Sequence, residues 1–297
     1  MLDADALIAW FDAHARDLPW RRPQTTPWGV LVSELMLQQT PVARVAPVWQ
    51  HWLDRWPRPS ALAKEPAGEA VRAWGKLGYP RRALRLHECA AVLASRHGDT
   101  VPADVDALLA LPGVGAYTAR AVAAFAHGAR CPVVDTNVRR VVARAVHGAA
   151  EPGPPSTARD LSDAGALLPA AAPRAARFSA ALMELGAVVC TARAPRCTGC
   201  PLLAGCGWVL AGRPAYQGAP RPVQRFAGTD RQVRGLLMDV LRDTEGPVGR
   251  ARLDLTWADA AQRDRCLDSL LVDGLVEQTP DGRFALPGEH GPALSGH

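Results

Sequence analysis

Lysine is nearly absent: Lys64 and Lys76 are the only two in a chain of 297 residues with 34 basic side chains, so the positive charge is almost all guanidinium. A GC-rich coding bias explains this more simply than selection for phosphate-matching forks. No apolar run reaches the ~18 residues that a membrane-spanning helix needs. The opening MLDADALIAWFDAHARDLPW carries acids and no basic lead-in, which argues against a secretory leader. The cysteines do not form a disulfide set. Of the seven, Cys89, Cys131 and Cys266 stand apart in apolar or helical surroundings and read as buried thiols, while the other four cluster. Strand patterns are missing from the first 210 residues. The expectation is a cytoplasmic protein, mostly helical, with no membrane contact.

The apolar fraction, 48%, suits a globular chain of one to three domains. The net charge is +5, with pI about 9.0, which fits a polyanionic partner. Its distribution is uneven. From Arg221 onward 10 arginines face 12 acids, a net of −2, and the remainder carries +7. The basic character lies in the larger part, so the tail is suited to packing or partner contact more than to duplex binding.

Residues 111–137, LPGVGAYTARAVAAFAHGARCPVVDTN, organise the rest. The turn around Gly113, Val114 and Gly115 lets backbone pass close to another group, and the helix after it offers unpaired N–H groups to an anion. Asp135 precedes a second helix, where the helix dipole and free N–H groups favour the charged carboxylate. A plain turn and a plain cap would look the same. Upstream, Glu34 sits inside the apolar run VLVSELMLQQT, where an acid either reaches solvent or is kept for chemistry. Helices are expected over 47–56, 68–77, 81–97, 157–167 and 177–189, with a sharp Leu77-Gly78-Tyr79-Pro80 loop between two of them. The sharpest signal is Cys190, Cys197, Cys200 and Cys206, spaced C-x6-C-x2-C-x5-C. Four thiolates in so short a loop repel unless a metal holds them. Zinc is the plain option, although the four do not form two CxxC knuckles.

Seven segments in order resemble the MutY-type adenine DNA glycosylases of the helix-hairpin-helix, endonuclease III superfamily: LPW at 18–20, SELMLQQT at 33–40, LGY at 77–79, LPGVG at 111–115, VVDTN at 133–137, MELGAVVC at 183–190 and the cysteine loop. The resemblance covers about the first 210 residues. It implies an all-α helix-hairpin-helix glycosylase fold over 1–211, with a six-helix lobe near 22–131 and an iron–sulfur lobe from 1–21 plus 132–211. It also implies that the four cysteines bind a [4Fe-4S] cluster and that the hairpin holds a DNA phosphate, with room for a monovalent cation. The implied chemistry is hydrolysis of the N-glycosidic bond of adenine opposite 8-oxoguanine or guanine. Glu34 would be the general acid, with its pKa raised by its apolar helix. Asp135 would stay anionic to stabilise the sugar cation, with Asn137 orienting the site. Tyr117 stands where strand-cutting relatives carry a lysine, which implies a monofunctional enzyme. Arg16, Trp20, Arg21, Leu37 and Glu184 would line the adenine pocket. Gln38, Gln39 and Thr40 would fill the gap left by the flipped base, with Leu77 and Tyr79 as a wedge beside the opposite base. The partner would be mismatched or oxidised double-stranded DNA, met by a nucleoid-associated monomer.

The tail departs from the family pattern. After a Pro/Gly/Arg-rich linker at 212–228, residues 229–297 read as helices followed by a hairpin around Asp281-Gly282, a small winged-helix-like α/β unit and not a larger β-rich domain. Two alternatives remain: a glycosylase releasing thymine or uracil opposite G, and a lesion-binding protein without catalysis.

Overall fold

The structure, a computed structural model, describes residues 2–216 and 226–289. In chain order the helices are α1 (Ala4–His14), α2 (Pro27–Met36), α3 (Val42–Arg55), α4 (Pro59–Ala63), α5 (Ala67–Trp74), α6 (Arg81–Arg96), α7 (Val105–Leu109) and α8 (Ala116–His127). They continue as α9 (Thr136–Ala145), α10 (Thr157–Leu167), α11 (Ala172–Val188), α12 (Gly207–Leu210), α13 (Asp230–Arg242), α14 (Arg250–Asp254) and α15 (Ala260–Val272). An antiparallel pair, β1 (Glu277–Gln278) and β2 (Phe284–Ala285), follows. Among the described residues no helix is long and apolar enough to cross a membrane. Local sequence sets many of the starts: Asp3, Asp104, Asp135 and Asp259 each accept a backbone N–H three residues on, which satisfies one orphan donor of the helix they precede.

Two compact units emerge. The first takes Met1–Val30, Pro102–Ala110 and Val114–Pro220. Its core joins Leu7 and Phe11 of α1, Val138, Val141 and Val142 of α9, and Phe178, Leu182 and Leu185 of α11. The second takes Leu31–Val101, Leu111–Gly113 and Arg221–His297, so the tail clusters with α3 to α6. Here Trp52 meets Trp56 and Trp74 edge to face, with ring centroids 4.7 and 5.9 Å apart. The tail runs α13, then Val248 bridged to Phe284, then α14, α15 and the β1–β2 hairpin. That is the expected helices-then-hairpin order with one more strand contact. Of the expected linker, residues 217–225 lie outside the described residues.

Three boundaries differ from the sequence reading. Helix α3 begins at Val42 and carries Pro47 inside it, not at its start, because Val45, Trp49 and Trp52 form one continuous buried stripe that outweighs the lost backbone bond. Helix α11 begins at Ala172 with Pro173 in its first turn, where a missing N–H costs nothing. Helix α2 stops at Met36, and the QQT run is a turn in which Gln39 takes φ 56°. Truncating Trp52 to Ala should cost about 3–5 kcal/mol by cavity formation, read as a lowered urea midpoint; an unchanged midpoint would mean that the tryptophan triad is not the core of its unit.

Candidate active site and cysteine loop

In the first unit, the start of α9 holds Asp135. One carboxylate oxygen accepts the Val138 N–H at 2.7 Å and the other accepts Asn137 Nδ2 at 2.8 Å. Arg140 then donates to Asn137 Oδ1 (2.8 Å), to Gly186 O (2.6 Å) and to Cys190 O (2.7 Å). Gly186 is required there: a Cβ would lie 2.7 Å from Asn137 Cβ and 2.8 Å from its carbonyl oxygen. The expected effect of the cap on Asp135 is corrected by its surroundings. Burial pushes its pKa up, and the bonds from Val138 and Asn137 and the charge of Arg140 offset this only in part.

Glu184 of α11 behaves in the opposite way. It is 0% exposed, yet its pKa falls to about 2: burial alone would raise it, but Arg16 and Arg21 outweigh burial. Arg16 donates from its backbone N–H (3.1 Å), Nε (2.7 Å) and Nη2 (2.8 Å), and Arg21 adds Nη2 at 2.9 Å. Arg21 also stacks over Phe11, and its Nη1 is a buried donor without an acceptor among the described residues. Trp20 is buried just before it, and Tyr117 of α8 packs half-buried against Ala121, Ala124, Val133 and Ala176.

The cysteine loop follows α11. Cys190, Cys197, Cys200 and Cys206 line one cavity with Arg144, Val189, Pro195, Leu203, Trp208 and Val209. Burial raises the Cys190 and Cys200 thiols, Cys200 to about 11, so as free thiols they stay protonated. A soft metal centre would displace those protons. Among the described residues no group of three or more His, Cys, Asp or Glu side chains converges as a ligand set for a metal ion. Arg144 clasps the loop from α9, donating to Thr191 O (2.8 Å), Ala192 O (3.2 Å) and Ala150 O (2.8 Å), with its guanidinium 4.9 Å from the Trp208 ring centroid. The sequence reading missed Arg140 and Arg144; their signal is a four-residue spacing within the buried valine stripe of α9.

In the second unit, Glu34 of α2 is 6% exposed, and its chain neighbours Leu31, Val32, Leu35 and Met36 are buried as well. Just beyond α2, two tight turns are tied together. Thr40 Oγ1 donates to Leu77 O at 3.2 Å, and Arg82 reaches Leu35 O (3.0 Å), Gln38 O and Gly78 O (3.3 Å) while its guanidinium faces the rings of Tyr79 and Trp74. Tyr79 is 53% exposed and held at φ 50°, a strained value for a residue with a side chain. Leu77 is only 4% exposed, packed inside the unit. Of the two expected wedge residues, therefore, only Tyr79 is presented at the surface, and Thr40, also buried, spends its hydroxyl inside the unit. Leu37 and Gln38 are half-buried, and Gln39 is exposed. Arg82 was not foreseen. At the hairpin, Gly113 takes φ 77° against Arg85, where a Cβ would sit 2.7 Å from Arg85 Cβ; Val114 is buried, and Gly115 starts α8 with no side-chain cap, leaving its N–H groups to an anion.

The pattern of the HhH-GPD superfamily of base excision DNA repair proteins matches residues 32–165. The adenine DNA glycosylase of Mycolicibacterium smegmatis is 66% identical over 284 residues, covering 95% of each chain. The chain belongs to this family. The human adenine DNA glycosylase is 39% identical over 209 residues, which cover 68% of this chain and 38% of the human one. A solved thermostable thymine-DNA glycosylase superposes with TM-score 0.63 at 27% identity, over 70% of this chain and 95% of its own. These matches agree with the all-α helix-hairpin-helix glycosylase fold expected from sequence.

Glu184→Gln leaves two guanidinium groups facing a neutral amide and should lower stability by about 2–4 kcal/mol, discounted for the solvent around Arg16. Because the native pKa of Glu184 lies below its unfolded value near ~4.3, its contribution is complete above that value. It is lost as pH falls toward about 2. Acid titration of the folded fraction should therefore be shallower in the variant over this window, and equal slopes would refute the assignment.

Proposed function

We propose that this adenine DNA glycosylase removes adenine mispaired with 8-oxoguanine or guanine, by hydrolysis and without cutting the strand. The observation that carries the reading is a pair of carboxylates, the buried Glu34 and the half-buried Asp135 held by Val138 and Asn137, on a chain 66% identical to an adenine DNA glycosylase. Glu34, buried on α2, delivers a proton to N7 of the base. The C1′–N9 bond breaks, and its electron pair leaves with adenine. Asp135, poorly solvated and held by Val138 and Asn137, places negative charge where the oxocarbenium-like sugar needs it, and water then adds at C1′ and returns a proton to Glu34. Arg16, Trp20, Arg21, Leu37 and Glu184 bind the base, and the vacant donor at Arg21 Nη1 is available to a base acceptor. Gln38, Gln39 and Tyr79 face the duplex, and the backbone N–H groups from Gly113 to Gly115 take a phosphate, with or without a monovalent cation.

Absence of strand cleavage rests on Tyr117, which stands where strand-cutting relatives carry a lysine, and on Lys64 and Lys76, the only lysines, lying outside the family motifs. Cys190, Cys197, Cys200 and Cys206 fit a [4Fe-4S] cluster, four soft donors around one cavity next to Arg144. A cluster held there would tie residues 190–206 together, and no step of bond cleavage is routed through it. Iron and sulfide assays of the purified protein test this. Loss of both in a Cys200→Ser variant is expected, and zinc in place of iron would overturn it.

The deciding assay is single-turnover base release from duplexes pairing A with 8-oxoguanine, A with G, and T with G, with and without alkali. Adenine release, with strand breaks only after alkali, is expected. Thymine release alone would favour the mismatch thymine reading, and tight binding without release a non-catalytic one. Glu34→Gln should slow release by about 10²–10⁴-fold. Asp135→Asn should lose about 10²–10³-fold by removing the stabilising charge. Its melting temperature at neutral pH should hold or rise, because Asn caps helices as well as Asp does and the cost of a desolvated anion is gone.

A further inference from the structure

Among the described residues of the tail, most arginines are taken up by neighbouring acids and leave little free positive charge for a phosphate backbone. Arg250 and Arg263 pair with Asp254, Arg265 with Asp230, and Arg283 with Asp281. Its contacts run inward, onto the second unit. Arg72 of α5 donates to three tail carbonyls, Leu241 (3.3 Å), Thr244 (3.1 Å) and Arg242, and pairs with Glu289. Arg242 returns a bond to Val71 O at 3.2 Å. Gly68 N–H donates to Pro287 O at 2.7 Å, and a Cβ on Gly68 would lie 2.9 Å from that oxygen and from Leu286 Cβ. The tail is docked on α5 too closely for any larger residue at position 68.

Beyond this dock, two tail acids reach the chain on either side of the Tyr79 loop. Asp239 of α13 pairs with Lys76 at 3.3 Å, one residue before Leu77. Asp273, at the end of α15, pairs with Arg81 at 3.2 Å, one residue after Pro80, and is itself held by Arg234 at 2.6 Å. The loop between has Gly78 at φ 85° and Tyr79 at φ 50° with an exposed ring. A strained tip of this kind persists only where its surroundings over-determine it. Arg82 and Thr40 supply that constraint from inside the unit, and the tail supplies it at both ends.

We propose that the tail is a positioning element for the Tyr79 loop, with Asp239 and Asp273 as its two positioning residues, so that it tunes dependence on the base opposite adenine without touching DNA. This rests on the reading that Tyr79 faces the opposite base. The test compares the full-length wild type with an Asp239→Asn/Asp273→Asn double variant and with Gly68→Val, which forces the dock apart. For each, base release is measured with A opposite 8-oxoguanine, G and C, together with melting temperature and iron content. Two exposed ion pairs translate into a roughly 3- to 10-fold fall in the 8-oxoguanine-to-G rate ratio, with release from the preferred duplex and iron content retained. Gly68→Val should lower the ratio further. Exchanging the charges of one pair, Lys76→Asp with Asp239→Lys, should restore part of it. A lowered melting temperature with an unchanged ratio would overturn the proposal, because a merely structural tail behaves that way. If the wild type releases no adenine from any duplex, the glycosylase reading has failed; if it does and the variants discriminate equally well, this proposal alone has failed.

Discussion

The guanidinium of Arg140 is the point on which the first unit turns. It lies buried between α9 and α11 and donates to the Asn137 side chain, the Gly186 carbonyl and the Cys190 carbonyl. The helix that begins at Asp135 is thereby tied to the strand of chain that enters the cysteine loop. Gly186 permits the approach, because its missing side chain leaves space that Asn137 fills. Three carbonyl or amide oxygens around one delocalised cation form an arrangement that no ammonium could make with the same geometry.

The same device recurs. Arg144 collects carbonyls from residues 150, 191 and 192, Arg82 from residues 35, 38 and 78, and Arg72 from residues 241, 242 and 244. Each binds backbone oxygens from the last turns of helices or from the connecting segments beyond them, where carbonyls have no partner further along a helix. The scarcity of lysine has a simple origin in coding bias, but at these four positions the planar fork is in use. Most of these bonds join segments far apart in the sequence, and that separation is why none of the four was foreseen.

Much of the rest was legible. The cap at Asp135, the turn glycines and the order of helices and hairpin in the tail were readable because each depends on a few neighbouring residues. Boundaries failed where packing overrode a local signal, as when the tryptophan stripe carried α3 through Pro47. A short motif such as Leu77-Gly78-Tyr79 does not say which of its side chains points inward. The interior holds Leu77 and leaves Tyr79 outside.

Sequence alone determined the helical class, the cysteine spacing and the position of each candidate acid, because these follow from residue type and local periodicity, and seven ordered motifs carried the resemblance to the family. Tertiary structure decided the charge habits of the acids and the place of the tail. Asp135 and Glu184 are both carboxylates in helical surroundings, yet one is pushed up by lost solvation and the other is held near pKa 2 by two arginines from a distant loop. Likewise, the docking of the tail on α5 depends on one missing Cβ and one guanidinium far away in the chain. Solvent exclusion and partners separated by more than a hundred residues exist only once the chain has folded.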